Sequence, residues 1–315
     1  MMQDTALSLP RRRKTAHVSL GVFRGGLSLA LYVGNTVFWC LPLFLFSFLK
    51  LLVPLDAWRR FCTRILNGIA ENWIAVNKFN QRLFTGTKID VTGIDGPGAE
   101  ALSRKGWYLV VANHQSWVDI LVLQSIFNRK IPFLKFFIKK ELFWVPFLGL
   151  AWWALDFPFM KRYSPGFLKK HPHLKGRDIE ATRKACEKFK KIPVSVMNFV
   201  EGTRFTPHKQ AVQRSPYEHL LRTRSGGVAQ VLATMGEQLH CILDITIVYS
   251  GTQKIGFWSY ISGGIPEIKV HVRALPVSSE LLGDYSGDRI FRRRFHQWLN
   301  ALWTEKDSLI TALRV

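Results

Sequence analysis

The sequence predicts an α/β protein, a sheet flanked by helices, with an N-terminal membrane-embedded helical segment. Three observations predict it. Short apolar runs that end in polar turns recur at residues 108–112, 193–200 and 242–249, as strands do when they feed loops at one edge of a sheet. Stretches such as residues 178–190 place apolar side chains three or four apart, the period of a helix with one buried face. Residues 25–49 carry no charge, and that length suffices to cross a bilayer as a helix.

The chain of 315 residues has room for one large domain and a small appendage. Its 44 lysines and arginines against 22 acidic residues leave a net charge of +22, which calls for an anionic partner: a nucleic acid, an anionic membrane surface or a phosphorylated substrate. Cys40, Cys62, Cys186 and Cys241 show no paired spacing, so neither a disulfide framework nor a zinc cluster is expected.

Taken in order, residues 1–24 read as a basic arm containing Arg11, Arg12, Arg13 and Lys14, with disorder expected up to Lys14. The apolar run that follows is too long for a signal peptide and lacks a cleavage site of small residues. Positive charge stands on both sides of it, at Arg24 and at Lys50, Arg59, Arg60 and Arg64, and pulls both ends toward the cytoplasm. Pro42 can bend the segment, which leaves a kinked hairpin and a tilted single span both open. Residues 53–84 form an amphipathic helix through Trp58, Ile65, Ile69, Trp73 and Val76, to be laid in the membrane interface or packed on the domain that follows. Residues 25–84 are therefore a membrane-associated region, and residues 85–315 the catalytic domain.

That domain opens with a strand at residues 88–93 and a turn at residues 95–98. The stretch WYLVVANHQSWVDILVLQ, residues 107–124, then reads as strand, polar turn and helix. His114 and Asp119 lie five positions apart across the turn. An imidazole is the best general base near neutral pH, and a carboxylate on one ring nitrogen orients it and stabilises its charged form. Ser116 lacks the G-x-S-x-G surroundings of an activated serine, so the dyad is expected to activate a substrate hydroxyl. The plainer alternative is that His114 packs locally and Asp119 merely starts the helix.

Lys135, Lys139 and Lys140 cluster in the run FLKFFIKKELF, residues 133–143. The apolar stretch 144–159 is broken by Pro146, Gly149 and Pro158, and could line a pocket, touch membrane or fill the core. His171 and His173 read as solvated surface. The strand at residues 193–200 runs directly into Glu201-Gly202-Thr203-Arg204. An arginine beside a glycine offers a phosphate a planar donor fork, with Glu201 orienting that arginine or a substrate hydroxyl; the alternative is a surface ion pair at a turn. Residues 220–227, LLRTRSGG, open another helix whose first amides could receive an anion. Asp244 interrupts the strand 242–249, either buried and paired or at an edge. A last strand spans residues 268–275, and a terminal amphipathic helix carries Phe291, Phe295 and Trp298.

On these residues the chain resembles the glycerolipid acyltransferase superfamily, the 1-acylglycerol-3-phosphate O-acyltransferases, and in it the branch of lysocardiolipin acyltransferase-like and bacterial inner-membrane enzymes. The first motif of that family is complete in Asn113-His114-Gln115-Ser116-Trp117-Val118-Asp119. The third reads Phe199-Val200-Glu201-Gly202-Thr203-Arg204, with Val200 where the family has proline, and Arg162 matches the second. The resemblance implies the acyltransferase sheet, with His114 as base and Asp119 orienting it. It implies an acceptor site of Asn113, Arg162, Glu201, Gly202, Thr203 and Arg204, and leaves Lys135, Lys139 and Lys140 for the anionic groups of the donor. No tightly bound cofactor and no metal is expected.

The implied reaction moves a fatty acyl group from acyl-CoA or acyl carrier protein to the free hydroxyl of a lysophospholipid. The first acceptor expected is 1-acyl-sn-glycerol-3-phosphate, giving phosphatidic acid; lysophosphatidylglycerol or a lysocardiolipin-type acceptor is the alternative. The implied location is a bacterial inner membrane, with the catalytic domain facing the cytoplasm and membrane phospholipids as partners. A nucleic-acid binder would explain the charge but would need its basic residues gathered on one reading face, and a membrane scaffold would have no need of HQSWVD.

Overall fold

The computed structural model describes residues 11–93, 102–160, 165–171, 177–251 and 255–314. The turn expected at residues 95–98, His173 and Arg162 lie outside the described residues.

Two long helices come first, α1 (Arg11–Leu52) and α2 (Asp56–Phe84). α1 already begins at Arg11, so the expected disorder up to Lys14 gives way to helix there. It runs through Pro42 without a break, which removes the hairpin. Helical rise makes 42 residues roughly 63 Å long, about twice a bilayer's hydrocarbon core. Among the described residues, the part Leu20–Leu52 is the one helix long and apolar enough to cross a membrane.

Polar side chains tie α1 to α2. Ser28 Oγ donates to Asn80 Oδ1 at 3.0 Å, and Asn80 Nδ2 donates back to the Ser28 carbonyl at 2.9 Å. One turn on, Gln81 Nε2 donates to the Tyr32 hydroxyl at 3.1 Å. Asn35 Nδ2 donates to Asn77 Oδ1 at 2.8 Å. Away from this seam α1 exposes Phe23, Leu27, Leu31, Phe38, Leu41 and Leu45, a stripe consistent with a membrane-embedded segment. α2 packs on the domain that follows. Leu66, Ile69, Ala70 and Ile74 are buried in the body, whereas Phe61, Phe79 and Leu83 are exposed.

The body then alternates strands and helices. β1 (Lys88–Thr92), β2 (Tyr108–Ala112), α3 (Val118–Phe127), β3 (Leu134–Phe136) and β4 (Ile138–Lys139) come first. α4 (Leu148–Ala154), β5 (Phe159–Met160), α5 (Pro165–Lys170) and α6 (Arg177–Phe189) follow. β6 (Ser195–Phe199), α7 (Pro207–Gln213), α8 (Ser225–Met235), β7 (Cys241–Tyr249), α9 (Phe257–Ile261), β8 (Glu267–Leu275) and α10 (Arg289–Arg314) complete it. Six strands pair in the order β1-β8-β7-β2-β6-β3. Every pairing is parallel except β7 with β8, and β4 and β5 form a separate small sheet.

β2 is buried along its whole length, as expected of a parallel strand covered on both faces. Its side chains alternate between two cores. Tyr108, Val110 and Ala112 face the side of α2, α3 and α4, with Leu66, Val122 and Ala151. Leu109 and Val111 face the side of α6, α8 and α10, with Phe189, Leu232 and Trp303. The broken stretch 144–159 contributes core through Ala151, Ala154, Leu155 and Phe157, and surface through Trp144, Phe147, Leu150 and Trp153. Asp244 is buried and paired: Lys306 of α10 reaches its Oδ1 at 2.6 Å, and Arg273 of β8 its Oδ2 at 3.1 Å. Lys306 also donates to the Ile245 carbonyl at 2.7 Å, which pins α10 to the middle of the sheet.

Candidate active site

Where β2 ends, Asn113 extends its pairing to β7 with a side chain. Asn113 Nδ2 donates to the Ile247 carbonyl at 2.9 Å, and its Oδ1 accepts the Ile247 amide at 2.8 Å. Asn113 is fully buried, so both its polar atoms serve the sheet and not a substrate. The next residue leaves the sheet. His114 and Asp119 meet there, with Nδ1 to Oδ2 at 2.8 Å. Asp119 stands in the first turn of α3 and reaches back over the loop, where the Gln115 and Ser116 amides donate to the same Oδ2 at 2.7 and 2.9 Å. This is the reciprocal logic of a helix N-terminal box, with the carboxylate satisfying amides that precede the helix. Ser116 Oγ in turn accepts the Val118 amide at 3.2 Å, so the serine is a capping group.

The second oxygen of Asp119 accepts the Tyr249 hydroxyl at 2.5 Å. Burial, with the Asp119 carboxylate adding to it, pushes the Tyr249 phenol well above its ordinary range, so Tyr249 remains a neutral donor. Both oxygens of Asp119 are thereby engaged, and its Oδ2 holds the imidazole through Nδ1. The His114 ring also stacks on Phe199, with centroids 3.9 Å apart and planes 14° apart. Its side chain is 13% exposed, and Nε2 has no hydrogen-bond partner among the described residues. That nitrogen is the atom left for chemistry.

The EGTR turn after β6 closes over the same loop. Glu201 is fully buried; its Oε1 accepts the His114 amide at 2.8 Å and its Oε2 the Leu221 amide at 2.9 Å. It makes no ion pair with Arg204, so the sequence expectation of an arginine-orienting carboxylate is corrected: main-chain amides 87 and 20 residues away take both oxygens. Burial pushes the Glu201 carboxyl up to about 8, against the pull of those two donors. Gly202 has φ +68, a left-handed turn that favours glycine, and a Cβ there would lie 2.7 Å from Arg224 Cδ and displace that side chain.

Arg204 is exposed, with its guanidinium 5.1 Å from the centroid of the Trp117 ring, a cation–π geometry. The Phe205 amide donates to the His114 carbonyl at 2.7 Å, a second link between the two motifs. Lys209 of α7 donates to Thr203 Oγ1 at 2.8 Å and to the Arg204 carbonyl at 2.9 Å. Burial, with the charges of Arg204 and Lys139, holds the Lys209 ammonium below its ordinary value. Arg204, Lys209 and Lys139 thus form one basic group beside the dyad. Arg222 is committed elsewhere, donating to the Gln213 and Arg214 carbonyls.

The three lysines grouped in the sequence are split in space. Lys139 and Lys140 are exposed at the small sheet and the turn after it. Lys135 is buried in the middle of β3, its ammonium 5.3 Å from the Phe189 ring centroid. The motifs do not single out Tyr249 or Lys209 as site residues. The one signal for Tyr249 was its place at the carboxyl end of an apolar strand; Lys209 announced itself only through Thr206, the cap that starts α7 and accepts the Lys209 amide at 3.2 Å. Among the described residues, no group of three or more His, Cys, Asp or Glu could hold a metal ion.

Comparison with known proteins agrees with this arrangement. The family model described as Acyltransferase matches residues 94–250, which contain the dyad and the EGTR turn. The 2-acyl-1-lysophosphatidylinositol acyltransferase of Saccharomyces cerevisiae is 24% identical over 78% of this chain and 70% of its own length. The 1-acyl-sn-glycerol-3-phosphate acyltransferase gamma of Mus musculus is 25% identical over 64% of this chain, which spans about half of it, 52%. The crystal structure of the 1-acyl-sn-glycerophosphate (LPA) acyltransferase PlsC from Thermotoga maritima superposes with a TM-score of 0.50 at 18% identity, covering 93% of this chain and 98% of that one. At that identity the likeness speaks for the fold.

Proposed function

Because this chain belongs to the acyltransferase family, we propose that it moves a fatty acyl group from an acyl thioester to the free hydroxyl of a lysophospholipid, with 1-acyl-sn-glycerol-3-phosphate as the leading acceptor. The observation that carries this reading is the His114 imidazole, with Nδ1 fixed on Asp119 and Nε2 without a hydrogen-bond partner among the described residues. Among the described residues no activated serine or cysteine stands beside it to form an acyl-enzyme, so the attacking oxygen is the substrate's own.

His114 Nε2 takes the hydroxyl proton as the oxygen attacks the thioester carbonyl. The tetrahedral intermediate collapses, the carbon–sulfur bond breaks, and the imidazolium returns the proton to the departing thiolate. Asp119 stabilises the imidazolium and fixes its tautomer, while Tyr249 and two loop amides hold Asp119. Arg204, backed by Thr203, Gly202 and Lys209, receives the acceptor phosphate, with Arg162 joining it by motif position. On this reading the exposed Lys139 and Lys140 receive the phosphates of coenzyme A or the acidic face of a carrier protein.

The exposed stripe of α1 supports integral attachment to a membrane, and on this reading the protein sits at the cytoplasmic leaflet of a bacterial inner membrane. A second acceptor reading has its own support. The yeast relative that aligns over 78% of this chain is named for lysophosphatidylinositol acylation, so a lysophospholipid with a larger headgroup is the alternative. The test is acyl transfer by purified full-length protein and its His114→Ala variant, using lysophosphatidate, lysophosphatidylglycerol, lysophosphatidylinositol and a dephosphorylated monoacylglycerol. Transfer that prefers a phosphorylated acceptor and vanishes in the variant supports the proposal. Full activity of the variant would sink it.

A further inference from the structure

A cavity of about 450 Å³ lies where the end of α1, the start of α2 and the end of α6 meet the edge strand β3. It is remote from the dyad. β2, β6 and β3 run parallel; His114 follows the carboxyl end of β2, whereas Pro193 and Val194, which line the cavity, precede the amino end of β6. Five residues of strand separate those two edges by roughly 16 Å.

Six cationic residues line this cavity: Lys50, Arg59, Arg60, Lys135, Lys188 and Lys191. Two carboxylates answer them. Asp156 pairs with Lys50 at 2.6 Å, and Asp56 with Lys191 at 3.4 Å. Arg59, Arg60, Lys135 and Lys188 have no carboxylate partner among the described residues. The decisive group is Lys135. It is 5% exposed, comes from the middle of a strand, and has no hydrogen-bond acceptor among the described residues; only the Phe189 ring lies against it. A buried ammonium without an acceptor is costly, and proteins pair such groups with an anion. Burial holds the Lys135 ammonium down at about 8, against the pull of the Asp156 carboxylate, which is already paired with Lys50.

We propose that this cavity is a second anion site, which binds the phosphate of an anionic phospholipid headgroup at the sheet edge opposite the dyad. Its size suits a phosphoglycerol group. Two arginine forks and two ammonium groups match phosphate oxygens. The source is a lipid because the mouth continues into exposed hydrocarbon: Leu51 and Trp153 line the cavity and are themselves 59% and 46% exposed. Next to them the end of α1 exposes Phe48 and Leu52, and the turn into α2 exposes Leu55. A headgroup entering there keeps its acyl chains against the apolar face of α1. This site stands on the cavity and its charges, independently of the acyl-transfer reading.

The test measures ligand affinity of the full-length protein in a neutral detergent, with short-chain phosphatidylglycerol, short-chain phosphatidylcholine and inorganic phosphate as the three probes. Phosphatidylglycerol is expected to bind at least tenfold more tightly than either of the others. The Arg59→Ala/Arg60→Ala double variant, changed at the rim, and Lys135→Met, changed at the floor, are each expected to weaken it tenfold or more. Both variants are expected to retain His114-dependent turnover. At pH 8 the wild type is expected to take up a fraction of a proton on binding, read from calorimetry in two buffers, and Lys135→Met to lose that uptake. Equal affinity for phosphatidylcholine, or unchanged affinity in the double variant, overturns the proposal. Inorganic phosphate binding as tightly as the lipid overturns the lipid source and leaves a soluble phosphate as the occupant.

Discussion

The carboxylate of Glu201 accepts the main-chain amide of His114 at 2.8 Å. The residue that opens one motif therefore holds the backbone of the proposed base in the other. Its second oxygen holds the Leu221 amide, so three chain segments converge on one buried side chain. Glu201→Gln replaces one acceptor by an NH2 group that faces a main-chain N–H. A lost buried hydrogen bond of this kind costs about 1–3 kcal/mol. The variant is expected to melt at a lower temperature and turn over more slowly, as measured by thermal unfolding and by initial rates.

The same residue predicts a pH dependence of stability. The folded Glu201 carboxyl titrates at about 8, above its ordinary value of 4.5. Between those values the folded state keeps a proton that the unfolded state has released. The contribution of this group is fully present below pH 4.5 and is lost as pH rises toward about 8. Thermal unfolding measured from pH 4.5 to 8.5 is expected to carry this downward component in the wild type, and the difference from Glu201→Gln isolates it. A difference curve without slope in that window would remove Glu201 as a proton carrier.

The dyad predicts a graded series. His114→Ala should abolish turnover. Asp119→Ala should lower kcat by roughly 10³–10⁴, the scale at which loss of the orienting carboxylate is felt in a histidine base. Tyr249→Phe leaves one buried oxygen of Asp119 without its donor; kcat is expected to fall about tenfold with KM nearly unchanged, since a bond to a charged group is worth about 1.5–3 kcal/mol. A Tyr249→Phe effect confined to KM would contradict this role.

Under the proposed function, variants of the basic group beside the dyad are expected to separate acceptor from donor. Arg204→Lys loses the planar fork and the stacking on Trp117. It is expected to raise KM for lysophosphatidate several-fold while leaving KM for the thioester alone. Lys139→Ala/Lys140→Ala should do the reverse. Lys135→Met should change neither constant, because Lys135 lies at the other edge of the sheet.

Attachment to the membrane is expected to resist salt. Screening weakens surface charge but not the burial of an apolar stripe such as that of α1. Washing membranes with 1 M salt should leave full-length protein in the pellet, and detergent should release it. Release by salt alone would mean that charge, not α1, holds the protein.

The parts legible in the sequence were those set by local pattern. The alternation of the strands, the turn between β2 and α3, and the pairing of His114 with Asp119 all lie within a few residues of one another. The roles of Glu201 and Asn113 were not legible, since their partners Leu221 and Ile247 come from other elements and are main-chain groups, on which no side-chain pattern reports. Lys135 and Lys139 look equivalent in the sequence. They part because β3 turns Lys135 toward α6, while Lys139 belongs to a separate two-stranded sheet. Asp244 left two readings open, and only the arrival of Lys306 from the last helix decides between them.

The polar seam between α1 and α2 fixes more than two helices. Ser28, Tyr32 and Asn35 are bonded to partners on α2, and α2 is buried in the same core as β2. With α1 sunk in a leaflet, as proposed, this would make it a draught mark for the whole body, its waterline setting the height of His114 above the lipid surface. Acceptors would then be sorted by how far their hydroxyl stands from the hydrocarbon as well as by headgroup charge, and bilayer thickness and lateral pressure would act as rate-controlling variables even when every substrate is saturating.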